Sequence, residues 1–347
     1  MDSGVFFSSY RADMALRNRP LEKVRMALFV ALVLIFPFFA SSYWLNLANT
    51  IAIYTVGALG LNILVGYTGQ ISLGQGGFMA VGAYSAGLLT LRLGLPFWAS
   101  LLAASLLTAA VGLVFGLPSL RLKGLYLAVA TLAAQEIVGW VVTHWTALTG
   151  GTEALVLPSP TLFGLRMNGD FRFYWIAVGI AAAAALFTAN LFRSRVGRAF
   201  VAIRDQDIAA SAIGVNVFQY KLLAFATSSF LVGLSGAMIA HYRLIVTWER
   251  FTFETSILFL AMIIIGGLGS VSGSFFGATF MVLLPAMITT LGRSLQGTAP
   301  QVAALLPSVQ QGAFGVVIIL FLVLEPEGLA KLWRNVKDYF HVWPFSY

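Results

Sequence analysis

The fold class is decided by the stretch Gly66-Tyr67-Thr68-Gly69-Gln70-Ile71-Ser72-Leu73-Gly74-Gln75-Gly76-Gly77. This stretch is rich in glycines and polar side chains and comes directly after an apolar run. Each glycine costs a helix about 1 kcal/mol relative to alanine, so a continuous lipid-facing helix is disfavoured here. Non-helical backbone at membrane depth persists only where it is buried in protein or lines a water-filled cavity. The stretch therefore predicts a broken helix, which either lines a polar pathway or packs closely against its neighbours through small residues.

The composition of the whole chain indicates a membrane protein. Hydrophobic residues make up 59% of the 347 residues and charged residues 10%, whereas soluble domains average roughly 45–50% and about 25%. A soluble protein with so little charge could not cover its surface with polar groups. The net charge of +8 comes from basic residues at the ends of apolar runs, a pattern typical of membrane proteins rather than of nucleic-acid-binding domains. The composition therefore excludes a soluble enzyme and predicts an all-α integral membrane protein.

Apolar runs of spanning length predict about ten membrane segments, with broken or re-entrant helices among them. The predicted segments are residues 26–45, 47–66, 74–91, 97–117, 124–142, 173–192, 219–241, 255–268, 273–291 and 309–325. The eighth is too short to cross a bilayer unless it is broken or re-entrant. They form a transmembrane domain at 26–325 between two tails, 1–25 and 326–347. Both tails are predicted to be cytoplasmic, because that arrangement places fifteen of the 21 Lys and Arg residues inside.

The glycine-rich stretch has an echo 200 residues further along the chain. The residues that recur at this offset are Gly66, Gly69, Ser72 and Gly77, matched by Gly266, Gly269, Ser272 and Gly277. In the predicted topology both copies cross the membrane in the same sense, which predicts a parallel structural repeat. Chance matching of glycines in a glycine-rich chain is the alternative.

Two connecting loops are longer than usual. The predicted outer loop, 143–172, contains a Gly-Gly-Thr-Glu turn, and the predicted inner loop, 193–218, contains an amphipathic helix at about 199–214 that ends at Gly214. One face of this helix carries Ala199, Ala202, Ile203, Ala209, Ala210 and Ile213, and the other carries Phe200, Arg204, Asp207, Ile208 and Ser211. From spacing alone, the helix either lies on the membrane surface or docks a cytoplasmic partner.

Few residues qualify for catalysis or metal binding. The chain has no cysteine and three scattered histidines, so neither a metal site nor a cysteine nucleophile is predicted. The motifs of a phosphate-binding loop and of the common hydrolases do not occur in the sequence. Glu136 is the one acidic residue well inside a predicted segment. Such a group usually faces a cavity or a partner, so Glu136 is either a polar wall of a pathway or a locally hydrogen-bonded carboxylate.

Five motifs occur in order between about residues 50 and 325. They are Gly66–Gln75 followed by Ala83-Tyr84; Gly124-Leu125-Tyr126-Leu127-Ala128 with Thr131 and Glu136-Ile137; Gly150-Gly151-Thr152; Ala202-Ile203-Arg204-Asp205 with Ile208-Ala209-Ala210 and Ile213-Gly214; and Gly266-Gly267-Leu268-Gly269-Ser270. Together they resemble the branched-chain amino acid ABC transporter permeases of the LivM/LivH type. The second and third motifs are more similar to the LivM type.

The resemblance implies the permease subunit of a binding-protein-dependent ABC importer for branched-chain, hydrophobic amino acids in a bacterial inner membrane. The implied partners are a second, LivH-like permease subunit, two cytoplasmic ATP-binding subunits, and a periplasmic or extracellular substrate-binding protein. No cofactor is expected on this chain, because ATP and Mg²⁺ would bind the ATPase subunits. Urea or short-chain amides are the alternative cargo. An ion-coupled secondary transporter and a membrane enzyme are the rival classes.

Two sets of site residues follow from the motifs and the resemblance. The residues predicted to line the translocation path are Gly66, Gly69, Gln70, Ser72, Gln75, Glu136, Gly266, Gly269 and Ser272. The residues predicted to couple to an ATPase are Ala202, Ile203, Arg204, Asp205, Ile208, Ala209, Ala210 and Gly214. Broader ABC importers carry Glu before the Ala-Ala pair of this helix, where the chain has Ile208.

Overall fold

The computed structural model describes residues 20–119, 122, 124–162, 165–167, 169–295, 302–325 and 327–342. The chain divides into two compact units, Met1–Asn46 and Leu47–Tyr347. Most of the predicted tail at 1–25 lies outside the described residues. All contacts discussed below lie within the second unit.

Helices make up most of the described residues. In chain order they are α1 Pro20–Phe39, α2 Ser42–Asn62, a π-helical turn Ile63–Tyr67, α3 Gln75–Leu93, α4 Phe97–Ser119, α5 Leu125–His144, α6 Thr146–Thr149, α7 Asp170–Arg193, α8 Arg195–Asp205, α9 Asp207–Ala212, α10 Val217–Arg243, a 3₁₀ turn Trp248–Arg250, α11 Phe253–Gly266, α12 Val271–Leu295, α13 Val302–Leu324 and α14 Leu329–Val342. The strands are β1 Leu155–Val156, β2 Thr161–Leu162, β3 Leu165–Arg166 and β4 Ile245–Val246. The predicted all-α membrane class is confirmed.

The described residues contain six helices long and apolar enough to span a membrane, or seven if one bent pair is a single span. The six are Ser42–Tyr67, Phe97–Pro118, Leu125–His144, Asp170–Arg193, Val217–Arg243 and Val271–Thr290. The bent pair consists of Ser308–Leu324 and Leu329–Tyr339, which meet at 50°. Each of the six coincides with a predicted segment, and the predicted total of about ten is somewhat more than the six or seven spans among the described residues.

Three other predicted segments account for the difference in number. The segment 26–45 is interrupted after α1, whose apolar part is only Ala27–Phe39. Helix α3 has 19 residues, but glycines and polar side chains lower its hydropathy. Helix α11 has 14 residues, which confirms that the eighth segment is too short to cross a bilayer alone.

Helix α10 lies at the centre of the second unit and packs most extensively on α4 and α3. Small residues allow these helices to approach closely. A Cβ atom on Gly82 would overlap the backbone of Gly233, and one on Gly233 would overlap the side chain of Thr108. Close approach through small residues is how helices associate in lipid, where apolar burial alone supplies little driving force.

Two short strand pairs organise the long loop before α7. β1 pairs with β4 in antiparallel register, with Leu155 opposite Val246 and Val156 opposite Ile245. β2 pairs with β3. The β1–β4 pair attaches the predicted outer loop to the segment that follows α10. This part of the loop is therefore held by backbone pairing.

Candidate functional site

Residues 69–74 are non-helical between the π-helical turn and α3 and are named the first break. Its first hydrogen bonds converge on the Leu64 carbonyl, which accepts from Gln70 N at 3.0 Å and from Thr68 Oγ1 at 2.5 Å. The side-chain Nε2 of Gln70 also donates to Thr68 Oγ1 at 2.9 Å. Thr68, Gln70 and Ser72 are all buried. The interrupted helix therefore satisfies its polar groups inside the protein, as membrane depth demands.

Side chains from α5 and α11 hold the far end of the first break. The Leu73 amide donates to Thr131 Oγ1 at 2.9 Å, and the Gly76 amide donates to Ser256 Oγ at 2.8 Å. Ser256 Oγ in turn donates to Gln135 Oε1. Three helices thus meet at the start of α3 through hydrogen bonds that replace those of a continuous helix.

Residues 267–270 separate α11 from α12 and are named the second break. The Asn62 side chain bridges to it from the end of α2. Its Nδ2 donates to the Ser270 carbonyl at 2.9 Å and to Ser274 Oγ at 2.9 Å, while its Oδ1 accepts from the Gly269 amide at 2.8 Å. Asn62 is 1% exposed. Asn62 therefore joins the end of α2, which precedes the first break, to the second break about 200 residues further along the chain.

The glycines of the sequence echo occupy similar positions at the two breaks. Gly69 has φ +67° and Gly269 has φ +71°, a backbone conformation that residues other than glycine rarely adopt. A Cβ on Gly66 would overlap the Gly269 backbone, and one on Gly266 would overlap the Gly273 carbonyl. Gly66, Gly266 and Gly269 therefore stand in close backbone contacts.

Arg204 connects the first break to the end of α8. Its Nη1 donates to the Gly66 carbonyl at 3.1 Å, and its side chain lies against Gly69. Asp205 holds the guanidinium from the other side, with Nε and Nη2 each 3.0 Å from Oδ1. A guanidinium at the end of a helix meets carbonyls that have no intrahelical partner and a favourable helix dipole. Arg204 is therefore placed to link α8 to both breaks.

The predicted amphipathic helix at 199–214 is two helices rather than one. Gln206, at φ −159° and ψ 100°, separates α8 from α9. Ser194 caps α8 by accepting hydrogen bonds from the Val196 and Gly197 amides, as a serine N-cap does. Gly214 follows α9 with φ +88°, in agreement with the predicted end of the helix.

Residues that the single-helix pattern placed on one face differ in their exposure. Ala199, Ile203 and Ala210 of the first face are buried, whereas Ala209 is exposed and Ile213 is 77% exposed. On the other face Phe200 is fully buried and Ile208 is 73% exposed.

Helix α9 presents apolar side chains outward from an anchored position. Ile208 is 73% exposed. Ile208 and Ile213 together are named the α9 surface. Lys221 Nζ lies 3.5 Å from Asp207 Oδ2 and ties α9 to α10.

The residues predicted to line a path fall into two groups in the structure. Gly66, Gln70, Ser72, Gln75 and Gly266 are buried within the chain, and Gly269 is half-buried. Gly69, Glu136 and Ser272 are exposed. The Gln75 Nε2 atom is buried and has no hydrogen-bond partner among the described residues.

Sequence reasoning missed two side chains that hold this site. Asn62 and Gln135 are both amides inside apolar segments, and both are buried with hydrogen-bonded partners. A polar group within a spanning segment is a signal in itself, because it is costly unless paired. That signal was assigned to Glu136, which is exposed next to the buried Gln135.

The predicted outer loop is held by charged and backbone contacts. Arg92 Nη2 donates to the carbonyls of Ala147 and Leu148 at 2.6 and 2.7 Å. The Leu157 amide donates to the Leu244 carbonyl at 2.8 Å. In the described ranges no group of three or more His, Asp or Glu side chains is placed to hold a metal ion.

The comparisons with known proteins show the family of the chain. The family described as "Branched-chain amino acid transport system / permease component" matches residues 43–322. The high-affinity branched-chain amino acid transport system permease protein LivM of Escherichia coli is 32% identical over 90% of this chain and 76% of its own length. No solved structure matches the chain.

Two archaeal relatives are more distant. The probable branched-chain amino acid transport permease protein LivM of Methanocaldococcus jannaschii is 26% identical over 66% of this chain and 67% of its own length. The probable LivH permease protein of the same organism is 26% identical over 81% and 89%. With the family match and the apolar helices, they indicate a multi-pass membrane protein similar to LivM; the chain belongs to the family of permease components of branched-chain amino acid transport systems.

Proposed function

We propose that this chain is one of two permease subunits of a binding-protein-dependent ABC importer for branched-chain amino acids. A LivH-like subunit forms the other half of the translocation path, two cytoplasmic subunits hydrolyse ATP, and a soluble binding protein delivers substrate from outside. The chain lies in a bacterial inner membrane with both termini in the cytoplasm. The family match supports the transport class, and the connection from Arg204 to the two breaks carries the mechanism.

The α9 surface is the docking element for an ATPase subunit in this proposal. Ile208 on α9 and Ile213 directly after it are exposed apolar side chains, and the pair of Lys221 and Asp207 anchors α9 to α10. Two exposed isoleucines fit an apolar groove on a partner better than they fit water. The neighbouring Ala209 is small and exposed, which permits close approach.

Motion of α8 and α9 reaches the membrane through Arg204. Its hydrogen bond to the Gly66 carbonyl is charge-assisted, a class worth about 1.5–3 kcal/mol. Gly66 contacts Gly269 directly, and Asn62 ties the end of α2 to the same second break. A displacement of Arg204 is therefore transmitted to both breaks at once.

The path itself runs between the two permease subunits. Side chains that line such a path must be exposed in each subunit alone, which favours Ser272 and Glu136 among the predicted residues. Three of the predicted path residues, Gln70, Ser72 and Gln75, are buried. In this proposal they stabilise the first break and the start of α3 and do not contact the substrate. A weak polar lining suits a zwitterion in transit, because a tight site would slow its release while the binding protein already supplies affinity.

The β1–β4 region at the predicted outer face receives the binding protein. Val156 and Ile245 are exposed on this pair, at 64% and 44%, and Arg92 fixes the start of the loop. Shortening residues 150–160 should weaken binding-protein docking. The named relatives transport branched-chain amino acids, which favours this cargo over urea or amides.

The decisive experiment measures ATP hydrolysis and leucine uptake in proteoliposomes that contain the full complex. Substrate-loaded binding protein should stimulate ATP hydrolysis, and Arg204→Gln should leave hydrolysis in place while uptake falls by at least about tenfold, the effect expected for about 1.4 kcal/mol. Arg195→Gln is the matched control, since Arg195 is an exposed arginine on the same helix. Uptake driven by an ion gradient without ATP would establish the secondary-transporter alternative instead.

A further inference from the structure

The start of α11 lies beside the middle of α5. The Thr252 carbonyl oxygen, directly before α11, is 2.7 Å from the position that a Cβ atom on Gly76 would take. The Gly76 amide donates to Ser256 Oγ in the first turns of α11 at 2.8 Å. A Cβ atom on Gly77 would lie 2.9 Å from Gln135 Cα of α5. The first turn of α11 is therefore level with Gln135.

This level is the middle of the membrane. Gln135 stands near the middle of α5, which has 20 residues and is one of the helices long and apolar enough to span a bilayer. Helix α11 has only 14 residues, so it extends over about 21 Å and crosses part of a hydrocarbon core of about 30 Å. Residues 247–252 connect it to β4, which pairs with the predicted outer loop. Helix α11 is therefore a partial span that begins at mid-depth.

Two charged side chains flank the first turn of α11. Arg250 precedes the helix and Glu254 is its second residue, and both are exposed. The Thr255 hydroxyl donates to the Arg250 carbonyl at 2.8 Å, which holds the backbone of Arg250 beside this turn. In the described part of the chain, neither Arg250 nor Glu254 takes part in an ion pair.

The depth and the helix dipole together call for an anion next to Arg250. Ionised side chains at membrane depth are costly, and they usually face a water-filled cavity or a partner of opposite charge. The N-terminus of α11 favours a carboxylate in its first turn, which accounts for Glu254, but the same dipole disfavours a cation. The position of Arg250 therefore points to an anion that is not part of the described chain.

Apolar side chains complete this exposed surface. Phe253 and Ile257 lie one turn apart on α11 and are 38% and 39% exposed. With Glu254 they fall within about 100° of arc round the helix. The 3₁₀ turn Trp248–Arg250 packs against α5, the helix that carries the exposed Glu136. The surface thus combines a cation, an anion and apolar groups, which complement the carboxylate, the ammonium group and the side chain of a branched-chain amino acid.

We propose that Arg250 and Glu254 contact the substrate in transit, Arg250 at its carboxylate and Glu254 at its ammonium group, while Phe253 and Ile257 contact its apolar side chain. This inference rests on the proposed function, and it names residues of this subunit that recognise an amino acid as a zwitterion. The guanidinium group can donate two parallel hydrogen bonds to a carboxylate. Ion pairs of exposed side chains are weak, so release of the substrate stays fast.

The test measures leucine uptake, ATP hydrolysis and the Kd of the binding protein in proteoliposomes that contain the full complex. Arg250→Gln and Glu254→Gln should each lower uptake by at least about tenfold, which corresponds to about 1.4 kcal/mol. Stimulation of ATP hydrolysis by the loaded binding protein, and its Kd, should keep their native values. Arg195→Gln and Asp338→Asn, at exposed charges on α8 and α14, are the matched controls and should transport as the native chain does.

Photolabelling reports the contact itself. Photo-leucine, a leucine analogue with a diazirine in its side chain, should label the peptide that contains residues 250–257 when the native complex is illuminated during turnover. The double variant Arg250→Gln with Glu254→Gln should lose most of this label, whereas the two control variants should keep it.

Four outcomes would contradict these expectations. Native uptake rates in both single variants, with native labelling in the double variant, would overturn this inference alone. A raised Kd of the binding protein in Arg250→Gln, with native uptake at saturating binding protein, would assign Arg250 to docking. Loss of the LivH-like subunit from the purified variant complexes would assign the two charges to the contact between subunits. Absence of ATP-driven uptake in the native complex would overturn the proposed function, and this inference with it.

Discussion

The two breaks share their glycines but differ in what holds them. The first break has six residues and is fixed by Thr131 and Ser256 from other helices. The second break has four residues and is fixed by Asn62 on one side and by Gly328 on the other. The left-handed glycine at equivalent positions of the two breaks, Gly69 and Gly269, therefore has unrelated neighbours in each.

The two serines of the echo show the consequence of this difference. Ser72 lies inside the first break and is 1% exposed. Ser272 lies in the first turn of α12, because the second break ends four residues earlier in the repeat, and it is exposed. Equivalent positions in the sequence repeat therefore face protein in one copy and the surface of the chain in the other.

The largest expected effect comes from removing the bridge between the breaks. Asn62→Ala deletes three hydrogen bonds and leaves the Gly269 amide without its acceptor, which should lower the free energy of unfolding by about 3 kcal/mol. Denaturant titration of the detergent-purified chain measures it. Asn335→Ala, at an exposed asparagine, is the control. A loss no greater than that of the control would mean that the breaks are held independently of Asn62.

The next effect tests whether the two left-handed glycines are equivalent. Gly69→Ala and Gly269→Ala should each cost about 1–2 kcal/mol, because both force alanine into a left-handed conformation. Gly69→Ala should cost more, since its Cβ would stand 3.1 Å from Arg204 Cγ, whereas the nearest atom to a Cβ on Gly269 is the Gly66 carbonyl oxygen at 3.4 Å. Denaturant titration of the detergent-purified chain compares the free energies of unfolding of the two variants. A smaller loss for Gly69→Ala would contradict the contact with Arg204.

Cysteine labelling sharpens the comparison of Ser72 with Ser272. The chain has no cysteine, so single variants report one position each. Ser272→Cys should react with a hydrophilic thiol reagent at least about tenfold faster than Ser72→Cys, because reactivity follows exposure. The reaction is followed by mass shift in the detergent-purified chain, with Gln70→Cys as a second buried position. Equal rates at 72 and 272 would show that the first break opens freely to solvent.

The smallest effect concerns a single bond at the first break. Thr131→Val removes the acceptor of the Leu73 amide and should cost about 1 kcal/mol. Thr143→Val is the matched control on the same helix, because its hydroxyl bonds only within α5, to the carbonyls of Gly139 and Trp140 and to His144 Nδ1. Equal midpoints of denaturant unfolding for these two variants would show that the Leu73 amide finds another hydrogen-bond acceptor.

Sequence reasoning succeeded where one segment carries its own signal. Six spanning helices were predicted because each is a long apolar run, and both breaks were predicted because glycine disfavours helix. The predicted number of about ten segments is higher than the six or seven spans among the described residues, because it includes α1, α3 and α11, which are helices too short or too polar to qualify as spans. The prediction of one continuous amphipathic helix was wrong at Gln206, where the chain turns between α8 and α9. No residue at this position forbids a helix, and the turn depends on how α9 packs against α10.

What the sequence by itself determined is the membrane class, the positions of the breaks and the family, because composition and local backbone preference act within a few residues. Only the tertiary structure decided that the two breaks meet through Asn62 and that Arg204 reaches Gly66. These pairings join residues more than 130 positions apart. A buried polar group must find a partner wherever the fold supplies one, and its identity depends on packing that no local pattern encodes.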